Sequence, residues 1–174
     1  FVGIITFSDP PDPHIATVIQ EFYEAGVQVK MITGDYPETA VAIARETGIH
    51  TEHILTGDAL RSLNDKELRK VVQHTSVFAR INPESKLRII EALKEQGEIV
   101  AMTGDGVNDA PALKAAHIGI AMGKRGTEVA KGAAGLVLSN DNMGNMIDAI
   151  FIGRRINENL IKAIRYIISI HIPI

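Results

Sequence analysis

Apolar residues in this chain fall either in short runs, unbroken or alternating with polar ones, or three or four positions apart. The runs at 27–32, 99–102, 118–122 and 136–139 are short and rich in branched side chains, which predicts strands, and so is the run at 2–6. Between them the spacing turns helical. Ile15, Val18, Ile19 and Phe22 mark a helix over 14–25, Ala40, Val41, Ile43 and Ala44 one over 38–47, and Leu87, Ile90 and Leu93 one over 85–96. Gly26, Gly48 and Gly97 follow these helices, where a residue able to take a left-handed conformation ends the turn. A peripheral helix is expected over 65–73 after a short segment at 53–55, and a loop over 123–135. This alternation predicts an α/β fold, a mostly parallel sheet with helices on its faces.

From position 142 the pattern changes. Ile152, Ile156, Leu160, Ile164 and Ile167 are interleaved with Arg154, Arg155, Lys162 and Arg165, which predicts one long amphipathic helix. Residues 166–174 are then almost wholly apolar. Nine residues fall short of the roughly 20 needed to cross about 30 Å of hydrocarbon. The expected organisation is therefore a domain over 1–141 and a helical segment over 142–174.

Composition narrows the function. The chain has 174 residues, enough for a real core, and its 45% hydrophobic and 22% charged content is that of an ordinary α/β domain. A net charge of -3 and 5% aromatics argue against nucleic acid as a partner. The absence of cysteine excludes disulfides and thiolate metal sites. His50 and His53 are three apart but have no third ligand in view, so they read as surface residues.

The candidate chemistry sits at strand ends. Residues 99–102 lead into Thr103-Gly104-Asp105-Gly106-Val107-Asn108-Asp109-Ala110-Pro111. Carboxyl ends of parallel strands are where open α/β sheets bind ligands. Gly104 and Gly106 permit a sharp turn and close approach, while Asp105 and Asp109 are hard oxygen donors suited to Mg²⁺. A blander reading is a strand-to-helix turn in which Asn108 or Asp109 caps the next helix. A second strand ends in the same three residues, Thr33-Gly34-Asp35, and between the two lies Phe78-Ala79-Arg80-Ile81-Asn82-Pro83-Glu84-Ser85-Lys86.

In this order the three stretches resemble the later motifs of P-type ATPases, members of the haloacid dehalogenase superfamily. Ser8-Asp9-Pro10-Pro11 resembles the element that opens this part of their phosphorylation domain. The resemblance covers nearly the whole chain and points to calcium and related cation pumps. It implies a haloacid-dehalogenase-like Rossmannoid sheet with helices on both faces, followed by a stalk helix leading into the fifth transmembrane helix. It implies Mg²⁺ as cofactor and ATP as substrate. Asp105 would coordinate the metal, and Asp109 would support the site through its neighbours. Lys86, Thr33, Gly34 and Asn108 would face the phosphoryl group. Asp35 and Arg80 would face the nucleotide, and Asp9 would organise a loop. The family's phosphorylated motif, Asp-Lys-Thr-Gly-Thr, does not occur in the sequence.

The expectation is therefore part of a multi-pass membrane pump that moves a cation. The domain would lie on the cytoplasmic side and work with a nucleotide-binding domain, an actuator domain and transmembrane helices supplied by the rest of the protein. Two rivals stand beside it. A small-molecule phosphatase of the same superfamily would need an Asp-x-Asp-x-[Thr/Val] nucleophile, which is missing. A non-catalytic binding or regulatory relative would keep the fold without the chemistry.

Overall fold

A computed structural model describes residues 10–171. The strand expected at 2–6 and the residues Ser8 and Asp9 lie outside the described part. The helices are α1 (Ile15–Glu24), α2 (Pro37–Glu46), α3 (Gly57–Ser62), α4 (Asp65–His74), α5 (Pro83–Glu95), α6 (Ala110–Ala115), α7 (Glu128–Ala133) and α8 (Gly144–His171). The strands are β1 (Met31–Ile32), β2 (Ile54–Thr56), β3 (Val77–Ala79), β4 (Ala101–Gly104), β5 (Ile118–Met122) and β6 (Leu136–Leu138). All pairings among them are parallel.

The α/β class and parallel pairing match the sequence pattern, but the strands form two three-stranded sheets, ordered β1-β3-β2 and β4-β5-β6. β1 and β4 are both edge strands. One core nonetheless serves both sheets. Leu60, Leu68, Val72, Phe78, Ile89 and Leu93 from the first half pack in one cluster with Met102, Leu113, Ala121 and Ala130 from the second. Helix α5 supplies the joint, packing on α4 on one side and on α6 on the other.

Several boundaries differ from the pattern for identifiable reasons. Only Met31 and Ile32 of the run at 27–32 pair as a strand, because the preceding residues pass the end of α4, where Lys30 Nζ donates to the carbonyls of Gln73 at 3.0 Å and Thr75 at 2.8 Å. Ile99 is 75% exposed, and β4 begins two residues later at Ala101. The stretch 123–135, expected as loop, contains α7, whose start is capped by the Thr127 hydroxyl accepting from Ala130 N. Helix α3 was not foreshadowed by any apolar period; Thr56 caps it in the same way.

Among the described residues, those up to Asp141 form one compact unit and those from Asn142 a second. The second is dominated by α8, a single helix of 28 residues, as its periodicity predicts. Ile152, Ile156, Leu160, Ile164 and Ile167 on it are all more than half exposed. Among the described residues no helix is long and apolar enough to cross a membrane.

Candidate active site

Three strand exits build the site. The first is the exit of β4. A Cβ on Gly104 would meet Asp109 Cβ at 2.6 Å, so the missing side chain is what lets the chain fold back on itself. The following residues, Val107–Asp109, form a 3₁₀ turn that runs directly into α6. Asp109 is buried at 7% exposure. Its Oδ2 accepts from Gly106 N at 3.2 Å and its Oδ1 pairs with Lys86 Nζ at 2.7 Å. The expectation that an Asn108 or Asp109 side chain caps the next helix is thus corrected: α6 has no side-chain cap, because the Asp109 carboxylate is turned backward into these two bonds.

Asp105 stands differently. It is exposed, and among the described residues its carboxylate takes part in no hydrogen bond or ion pair. Its main chain is fixed by Thr127 N, which donates to Asp105 O at 2.8 Å. Asn108 is exposed on the same turn. Among the described residues no cluster of three or more histidine or acidic side chains could by itself hold a metal ion.

The second exit, that of β3, positions Lys86. Asn82 caps α5 by accepting from Ser85 N at 2.8 Å, and Pro83 opens the helix with its favourable fixed φ. Lys86 therefore lies in the first turn, with its side chain 17% exposed and its ammonium on Asp109. This pair joins the end of one sheet to the end of the other.

The third exit is the turn after β1. Thr33 Oγ1 donates to Asp35 Oδ2 at 2.8 Å and accepts from Asp35 N at 3.1 Å. The turn is tied to the exit of β3, since Ile81 N donates to Thr33 O and Arg80 N donates to Asp35 O. Gly34 is exposed, and a Cβ there would meet nothing closer than Ile81 O at 4.0 Å. No steric demand for glycine exists at this position.

Arg80 adopts a left-handed φ of 57° and lays its guanidinium over the Tyr36 ring, 4.4 Å from the centroid. A polar pocket of about 190 Å³ opens beside it, lined by Gly34, Asp58, Arg61, Arg80, Ile81 and Asn82. Tyr36, Asp58 and Arg61 had no signal in the sequence, because α3 brings two of them in through tertiary packing. Gly57 makes that possible: a Cβ there would fall 2.1 Å from Arg80 O.

The sequence-derived residues thus fall into two neighbourhoods within one unit. Lys86, Asp105, Asn108 and Asp109 belong to the β4 turn and its partner helix. Thr33, Gly34, Asp35 and Arg80 belong to the turn after β1 and the adjoining pocket. Asn82, which caps the Lys86 helix, also lines that pocket, so the two are contiguous.

A model of haloacid dehalogenase-like hydrolases matches residues 1–117, and a second model of the same description matches residues 85–150. The chain is 46% identical over 171 residues to calcium-transporting ATPase 1 of Bacillus cereus and 49% identical over 170 residues to the calcium-transporting ATPase of Bacillus subtilis. It is also 45% identical over 164 residues to calcium-transporting ATPase 1 of Saccharomyces cerevisiae. These alignments cover 97%, 97% and 92% of this chain but only 19%, 19% and 17% of those relatives, so the chain spans about a fifth of their length. Among solved structures, a zinc-transporting PIB-type ATPase in an E2.Pi state superposes with a TM-score of 0.69 at 33% identity, over 88% of this chain and 21% of that one. The catalytic domain of a CPx-ATPase, CopB-B, superposes with a TM-score of 0.63 at 28% identity, over 82% of this chain and 46% of that one.

Proposed function

This chain belongs to the haloacid dehalogenase-like hydrolases, and we propose that it is the phosphoryl-handling part of an ATP-driven, cation-transporting P-type ATPase. The observation that carries the reading is the division of labour between two acidic residues on one turn. Asp109 is buried and committed to Lys86 and Gly106, whereas the carboxylate of Asp105, four residues earlier, is exposed and has no partner among the described residues. The similarity to named calcium-transporting ATPases over almost the whole chain supports it.

Mg²⁺ commonly takes one or two carboxylates, keeps several waters and completes its shell with phosphate oxygens. An exposed carboxylate at a strand exit, unpartnered among the described residues, fits that habit. Asp105 would hold the ion, which when bound would neutralise phosphoryl oxygens during transfer. Lys86 brings a compact positive charge to the same turn, and Asp109 fixes its direction. The Gly34 amide and the Asn108 side-chain amide offer donors for phosphoryl oxygens, and the Thr33 hydroxyl would add a third on exchanging the Asp35 carboxylate it now bonds for a phosphoryl oxygen. Arg80, which lines the polar pocket, suits the phosphates or ribose of ATP, and Asp35, on the turn bonded to Arg80, would face the nucleotide. The acceptor aspartate, the nucleotide-binding and actuator domains and the cation pathway would come from the rest of the protein. On this reading α8 is a stalk toward a transmembrane helix, in a multi-pass membrane protein whose present domain faces the cytoplasm. Calcium is the cation that the named relatives favour.

Labelled ATP tests the reading. The purified 174-residue chain should take up no acid-stable label, while the full-length protein containing it should. In the full-length protein Asp105→Asn should abolish the label at limiting Mg²⁺. Stoichiometric label on the short chain, or normal labelling of Asp105→Asn, would overturn it.

A further inference from the structure

A second acidic side chain bonds the loop whose far end meets the Asp105 main chain. Asp141, just after β6, is one of two non-glycine residues in the left-handed region among the described residues, with φ 58°. Its side chain is 10% exposed. Oδ1 accepts from Lys124 N at 2.9 Å and Oδ2 from Arg125 N at 3.0 Å. Arg125 Nε adds an ion pair at 3.5 Å. The carbonyl of Leu138 accepts from both Gly123 N at 2.9 Å and Asp141 N at 3.0 Å. Three successive amides at 123–125 are therefore fastened to the exit of β6.

The same loop is fastened at its other end. A Cβ on Gly126 would fall 2.0 Å from Met122 O, so the chain closes tightly on the last residue of β5. The next residue is Thr127, whose amide donates to Asp105 O. The loop is a short strut with Asp141 at one end and the Asp105 main chain at the other.

We propose that Asp141 is a positioning residue for Asp105: by clamping residues 123–125 it holds the Thr127 amide against the Asp105 carbonyl and so sets where the Asp105 carboxylate points. This rests on the reading of Asp105 as the Mg²⁺ ligand. The clamp needs an ionised carboxylate, and the local bonds keep it so. The Lys124 amide foremost, against the opposing effect of burial, then the Arg125 and Gly123 amides and the Arg125 charge, holds the Asp141 carboxyl below the usual carboxylate range. Groups that orient metal ligands without touching the metal typically change affinity 10–100-fold when lost. Asp141 acts through a loop, which places it at the low end.

Asp141→Gly is the informative variant, because glycine accepts the left-handed φ and only the carboxylate is lost. Asp141→Asn also tolerates that φ and keeps one acceptor oxygen. Mg²⁺ would be titrated into the full 174-residue chain while the Gly104 and Gly106 amide resonances are followed, with amide hydrogen exchange read in parallel. Asp141→Gly should raise the half-saturating Mg²⁺ about tenfold and speed exchange at Thr127, with exchange at Phe78 and Ile89 unchanged. Asp141→Asn should fall between it and wild type, and serves alone should Asp141→Gly fail to fold. Unchanged Mg²⁺ titration in both variants, with Asp105→Asn abolishing the response, overturns the proposal and leaves the metal reading standing. A response that survives Asp105→Asn overturns the metal reading itself and this inference with it.

Discussion

Lys86 Nζ and Asp109 Oδ1 lie 2.7 Å apart with side chains 17% and 11% exposed, and they link the first turn of α5 to the turn after β4. Removing one partner of a buried pair costs about 3–5 kcal/mol because the other charge is left uncompensated, and this partly buried pair falls at the low end. Asp109→Ala should therefore destabilise the chain by about 3 kcal/mol in urea unfolding. The double variant with Lys86→Met should be more stable than Asp109→Ala alone, because the stranded ammonium is gone. A double variant whose loss equals the sum of the single losses would show that the two groups do not act as a pair. In the full-length protein Lys86→Ala should slow phosphoryl transfer more than it weakens ATP binding, read as a fall in kcat with little change in KM.

Glycines at the site divide by what a methyl group would meet. At Gly104 the methyl would strike Asp109 Cβ at 2.6 Å, on a residue that is itself anchored to Lys86 and Gly106. Overpacking of this kind costs about 1–3 kcal/mol, and displacing the turn by about 1 Å can cost 100-fold in rate. Gly104→Ala should thus lower phosphoenzyme formation far more than it lowers the melting temperature. Equal, small losses in both would mean that the turn relaxes around the methyl.

Which parts of this were legible in the sequence follows from which interactions are local. The Thr33-Gly34-Asp35 turn, the Asp105 turn and the Asn82-Pro83 start of the Lys86 helix are written in consecutive residues, and the structure places all three at strand exits. Helix boundaries for α1, α2, α4 and α5 fell within two residues, because each carries a helical apolar stripe or a terminal glycine or cap. Non-local devices were not legible. Nothing near Gly57 in sequence says that Arg80 O will lie against it, and nothing near Asp141 says that its carboxylate will meet the amides of Lys124 and Arg125. The helix α7 was missed because its six residues, Glu128–Ala133, are too few to show a period. The backward turn of Asp109 was missed because a carboxylate before a helix reads locally as a cap, while the partly buried Lys86 ammonium is a stronger partner.

Gly57 and Gly132 make a matched pair of tests. A Cβ at Gly57 would fall 2.1 Å from the Arg80 carbonyl, a backbone atom that cannot swing aside, whereas at Gly132, inside α7, it would meet nothing within 4 Å. Gly132→Ala should stabilise by about 0.5–1 kcal/mol through helix propensity. Gly57→Ala should destabilise by about 3 kcal/mol or more and push α3 off Arg80, weakening ATP binding in the full-length protein. Thermal unfolding of the two variants side by side decides this; a Gly57→Ala chain as stable as wild type would mean that α3 does not hold its place against Arg80.

Lys30 gives a prediction in pH. Burial lowers its pKa, only partly opposed by the charge of Glu98, while the ammonium donates to the carbonyls of Gln73 and Thr75. A lysine whose pKa is lower folded than unfolded loses its proton first in the folded state. Between the lowered value and the unfolded value of about 10.4 the unfolded chain binds more protons, so stability rises with pH across that window. Lys30→Met removes this component and also two hydrogen bonds from a charged donor, worth about 1.5–3 kcal/mol each at most. The variant should be less stable than wild type at pH 7, and the gap should widen as pH is raised into the alkaline window. Urea midpoints for both proteins at pH 7, 8, 9 and 10 provide the comparison. A gap that narrows with rising pH would mean that the folded protein favours the charged form of Lys30, contrary to its burial behind the end of α4.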